Sequence, residues 1–141
     1  MSPEDLWGEL PEIGNLRTPV EVLKEQATIL TAKTKGVLVG EVRPERVPRP
    51  EYPFGSSLCI RAPALNNYLT SVASVACPME MYPLLYWAID AAGSHQCPDE
   101  DALKAKLKGT LQSRQVQKLI AALLRQSNAA QPSDAVPLSA C

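Results

Sequence analysis

The only histidine, His95, stands two positions before Cys97, and Cys77 and Cys59 are the nearest other thiols along the chain. An imidazole beside a thiol can create a thiolate nucleophile. That needs the ring within hydrogen-bond reach of the sulfur, a group to orient it, and donors for the developing oxyanion. Asp90 or Asp99 could orient the ring, but nothing in their spacing fixes these groups in space. His95 therefore reads first as a solvated loop residue. A zinc site of Cys77, His95 and Cys97 would lack the fourth ligand of a tetrahedral centre, so no metal and no cofactor is assigned. The sequence also has no Gly-rich phosphate loop, dinucleotide fingerprint, Gly-x-Ser-x-Gly elbow or His-Glu-x-x-His. No catalytic residue is assigned.

A second cluster is Arg61, Asn66, Asn67 and Tyr68. A guanidinium with two amides and a phenol could grip a carboxylate, a phosphate or a nucleobase. If the flanking segments pair as strands, these groups gather at one end of a sheet, and His95 could serve them as a proton carrier. Against this stands ordinary turn chemistry, since Asn tolerates left-handed backbone and caps its own chain.

A third candidate is the stretch 43–55, with Arg43, Arg46 and Arg49 followed by Tyr52 and Phe54. Arginines with aromatic neighbours can hold phosphates and stack on bases. Here Glu41, Glu45 and Glu51 are interleaved and the whole chain carries a net charge of −1, so nucleic acid is disfavoured. The same residues suit a protein contact, as do Met79, Met81, Tyr82, Tyr86 and Trp87. Arg46, Arg49, Tyr52, Phe54, Met81, Tyr82 and Trp87 are accordingly the expected interface residues.

The elements that must position these groups read as an α+β domain. Thr18, Pro19 and Glu21 form a capping box with proline at the first helical position. Val20, Leu23, Ala27 and Leu30 then recur at near-helical spacing up to a left-handed stop at Gly36. Strands are expected at 37–43, ended by Pro44, at 57–62, ended by Pro63, and at 68–77. A fourth is expected at 80–89, placed at a sheet edge by Pro83, although its apolar run also suits a helix. Short connections favour an antiparallel meander. Residues 90–98 read as a loop. Asp99, Glu100 and Asp101 place negative charge at a helix start. Leu103, Leu107 and Leu111 line one side of that helix, and Lys104, Lys106 and Lys108 read as solvated. Ser113 offers a fresh cap, followed by Val116, Leu119, Ile120, Leu123 and Leu124 at amphipathic spacing.

The expected architecture is thus a central sheet of three to four strands packed by one N-terminal and one or two C-terminal helices. It spans 17–127, between an acidic irregular arm (1–16) and a flexible tail (128–141). At 141 residues a single core suffices without staples, and the scattered Cys59, Cys77, Cys97 and Cys141 read as free thiols of a reducing, cytoplasmic setting. No apolar run is long enough for a membrane span. The functional expectation is a non-catalytic protein-interaction module of inhibitor, immunity or adaptor type, binding another protein or a second copy of itself. The alternative is a small-ligand or nucleotide-binding domain, an enzyme among its forms, built on Arg61, Asn66, Asn67, Tyr68 and His95.

Overall fold

The computed structural model of the protein describes residues 4–9, 17–46 and 49–130. Helix α1 (Pro19–Lys33) leads into strands β1 (Val39–Pro44), β2 (Phe54–Ala62), β3 (Tyr68–Cys77), β4 (Leu84–Ala88) and β5 (Ala91–Cys97). Helices α2 (Glu100–Leu111) and α3 (Arg114–Ala130) follow. The strands form one antiparallel sheet in chain order. The class is α+β as expected, with five strands where three to four were expected.

Local chemistry explains the helix limits. The Thr18 hydroxyl accepts the Glu21 amide at 3.1 Å, and Lys35 and Gly36 take left-handed backbone at φ 53° and 82° just past the helix. The Asp99 carboxylate accepts the Ala102 amide at 2.8 Å and starts α2. The break between α2 and α3 falls at Gln112 and Ser113, so Gly109 stays inside α2. Val22, Leu23 and Ala27 of α1 are buried. Burying an aliphatic side chain contributes about 1.5–3 kcal/mol, against about 1 kcal/mol for a cap, so packing decides which face α1 turns inward.

Residues 84–88 form the expected fourth strand. The sheet corrects two other expectations: residues 91–97 form β5 instead of looping, and β4 is therefore internal rather than at an edge. Pro83 precedes β4 and costs its ladder nothing. Helix α3 runs through Ala130, past the expected tail boundary. Residues 1–3 and 10–16 of the expected arm, 131–141 of the expected tail, and Val47 and Pro48 lie outside the described residues.

All three helices lie on one face of the sheet. Leu58, Ile60 and Ala62 of β2, Val72, Ala73 and Val75 of β3, and Leu84 and Tyr86 of β4 share a core with Leu23, Leu103, Leu107, Val116 and Leu123. Residues of opposite parity, among them Glu41, Cys59, Arg61, Ser74 and Trp87, fall on the other face. A register shift between Leu58 and Cys59 leaves Val72 as an extra residue of β3. Close approach is needed where α1 crosses β1: a Cβ on Gly40 would stand 2.4 Å from the Ala27 carbonyl oxygen. No helix among the described residues is long and apolar enough to cross a membrane.

Candidate functional site

The structure separates the residues of the expected ligand cluster. Arg61 sits on the helix-free face of β2, where its guanidinium pairs with Glu41 and donates to the Asn67 side-chain carbonyl at 3.0 Å. Asn66 and Asn67 both hold left-handed backbone, at φ 58° and 57°, which is turn chemistry. Tyr68 is registered opposite Ala62 and so falls on the other face from Arg61; it is half exposed. His95 is registered opposite Tyr86, on the helix face and three strands away. Arg61 and Asn67 meet, Glu41 answers the Arg61 charge, and His95 belongs elsewhere.

The expected interface residues are brought closer together. Phe54 is registered opposite Cys77, so residues 49–53 and the 78–83 connection lie at the same end of the sheet. Phe54 and Met79 are both exposed there, Tyr52, Met81 and Tyr82 are half-buried, and Arg46 and Arg49 face solvent. The loop is closed at its base: the Glu45 amide donates to the Gly55 carbonyl at 2.9 Å, and the Ser57 hydroxyl donates to the Glu45 carboxylate. Trp87 lies apart from this group, opposite Ser74 on the helix-free face.

His95 lines a hollow of about 320 Å³ with Tyr86, Asp90, Lys106 and Thr110. The Tyr86 hydroxyl donates to Thr110 Oγ1 at 2.5 Å, and that hydroxyl donates to Asp90 Oδ1 at 2.9 Å. Burial pushes the Tyr86 phenol up to about 12, outweighing the Thr110 hydrogen bond. The chain of donors ties β4, α2 and the β4–β5 turn together.

A further concavity was not legible as a site. It is a groove of about 500 Å³ between α1 on one side and α2 with the start of α3 on the other. Its floor is Leu58, Ile60 and Val72, which belong to the buried sheet core. Its walls are Leu30, Leu107, Leu111 and Ile120, and Lys33, Lys104 and Lys108 stand at its rim. The acid at the rim, Glu25, pairs with Arg17. Lys104 pairs with Glu100 at 2.8 Å and, through that hydrogen bond, holds the Glu100 carboxyl below the usual range. Among the described residues neither Lys33 nor Lys108 has an ion-pair partner. One signal was present in the sequence: Lys104 and Lys108 are four apart and share a helix face, while Lys106 points to the flank that borders the His95 hollow. That Lys33 faces them across a gap depends on how α1 and α2 are docked, which no local pattern encodes.

No family model matches the chain, and no curated protein or solved structure matches it.

Proposed function

We propose that the protein is a non-catalytic interaction module whose working surface is the groove between α1, α2 and α3, and that it takes an acidic, amphipathic segment of a protein partner. The observation that carries this reading is an apolar groove, with half-buried Leu30, Leu111 and Ile120 in its walls over a buried base of Leu58, Ile60 and Val72, beneath a rim of three lysines. Apolar side chains spaced along a helix or extended segment would fill the floor, as in helix-in-groove recognition. Carboxylates flanking them would meet the lysines, which raises the association rate and sets the register. The groove volume lies in the range of about 300–1,000 Å³ that specific pockets occupy.

The test is fluorescence anisotropy with a labelled peptide carrying leucines at helical spacing among glutamates. Micromolar binding that falls by about tenfold or more in Lys33→Glu/Lys108→Glu, and weakens with added salt, is the expected result. No binding at millimolar peptide, or equal binding by the reversed variant, removes the reading. The separation of Arg61 from His95 on opposite faces favours this interaction role over the ligand-binding alternative first built on them. Self-association, if it occurs, is assigned to the exposed outer strand β5 rather than to β4.

A small-ligand role retains one observation in its favour, the hollow where His95 and Lys106 face the Tyr86–Thr110–Asp90 chain of hydrogen bonds. A thermal-shift screen with small carboxylates would detect it. A shift lost in Lys106→Ala supports this second reading, and no shift at millimolar ligand dismisses it.

A further inference from the structure

The N-terminal segment has the chemistry that the groove selects. Residues 1–16 contain Glu4, Asp5, Glu9 and Glu12 and no Lys or Arg. Within the described part, Leu6 is 85% and Trp7 81% exposed, the two most exposed large apolar side chains of the protein's described residues. Their burial would be worth more than that of most single contacts, since an indole and a leucine carry large apolar areas. The Asp5 carboxylate accepts the Trp7 amide at 2.9 Å, so acid and indole form one compact turn. We propose that this segment, with Leu6 and Trp7 foremost, is the groove's intramolecular occupant and competes there with the partner's acidic segment. This rests on the groove reading above and adds its regulation.

Tether geometry allows it. The segment joins the domain at Arg17, beside the N-terminal end of α1. The groove residues of α1 begin at Val22 and continue through Gln26 and Ile29 to Lys33. Along a helix those positions lie about 5–21 Å beyond Pro19. The ten residue steps from Trp7 to Arg17 give the chain a contour reach of about 33 Å. That reach exceeds the distance to be covered, which is the condition for engagement within one molecule. Within one molecule the acidic segment then meets Lys33 and Lys108 with its apolar pair against the half-buried Leu30, Leu111 and Ile120.

The experiment uses the full chain with Trp87→Phe, which leaves Trp7 as the sole indole; Trp87 lies on the opposite face of the sheet and does not line the groove. Acrylamide quenching and emission of Trp7 are compared with the same chain carrying Lys33→Glu/Lys108→Glu. The expected result is a blue-shifted, protected Trp7 that becomes solvent-like on charge reversal, with no dependence on protein concentration. In wild type, nuclear Overhauser contacts from the Trp7 indole to Leu30 or Ile120 methyls give the same answer without the Trp87 substitution. Leu6→Ala/Trp7→Ala should bind the acidic test peptide about tenfold tighter, the factor expected when only about a tenth of wild-type molecules have the groove free. A solvent-like Trp7 in both chains overturns the proposal. So does protection that grows with concentration alongside a doubled mass, which would mean exchange between copies. A protected Trp7 with no peptide binding keeps this proposal and rejects the partner reading; peptide affinity unchanged by Leu6→Ala/Trp7→Ala does the reverse.

Discussion

Two phenols with buried hydroxyls show how differently the same side chain can be accommodated. Tyr86 is 2% exposed and its hydroxyl has a partner in Thr110. The Tyr82 hydroxyl is buried without a partner among the described residues. Burial pushes both phenols up to about 12 from 10.0, and it also raises the Cys59, Cys77 and Cys97 thiols above 9.0. A group whose pKa is raised by folding holds its proton in the folded state while the unfolded chain releases it. Its contribution is therefore complete below the unfolded pKa and lost as pH climbs through the folded one. Urea melts should show stability declining above pH 9 and falling further between pH 10 and 12. Tyr86→Phe should cost about 1 kcal/mol at neutral pH, since it deletes a satisfied hydrogen bond, and should flatten the fall above pH 10. Tyr82→Phe should cost nothing or stabilise, because it removes an unpaired buried hydroxyl. A loss above about 1 kcal/mol in Tyr82→Phe would contradict the absence of a partner.

Elements with local signatures were legible, and β5 was not. Helix α1 declares itself through Thr18, Pro19 and Glu21, and α2 through Asp99 and the leucines at 103, 107 and 111. Strand β5, by contrast, reads Ala-Ala-Gly-Ser-His-Gln-Cys, with no alternation of apolar and polar residues, and forms only because β4 offers it a ladder. Its absence from the sequence reading also misplaced β4 at an edge. Gly40 is the clearest case of a residue whose importance lies between elements. Its amide donates to the Thr31 hydroxyl at 2.9 Å, and its missing side chain admits the Ala27 backbone. Gly40→Ala should destabilise by about 1–3 kcal/mol by forcing α1 off β1. Val42→Ala on the same strand serves as a comparison for loss of packing alone, and thermal melts read the difference.

At the scale of the molecule, the layering was legible and the docking of helices on the sheet was not. Alternation along β2 and the leucine spacing of the helices imply a one-sided core. The candidate site depends on the gap between α1 and α2, and on lysines that look merely solvated in sequence. The ligand cluster expected around Arg61 came apart because neighbours in sequence, Arg61 and Tyr68, fall on opposite faces once β2 and β3 pair. The groove draws its two walls from opposite ends of the chain, α1 before the meander and α2 and α3 after it. Whatever seats itself there acts as a noncovalent clasp across the entire meander, so its release must precede or accompany separation of the termini. Saturating peptide should therefore slow unfolding in urea jumps while leaving refolding rates nearly untouched, because hairpins close locally long before the two helical walls meet.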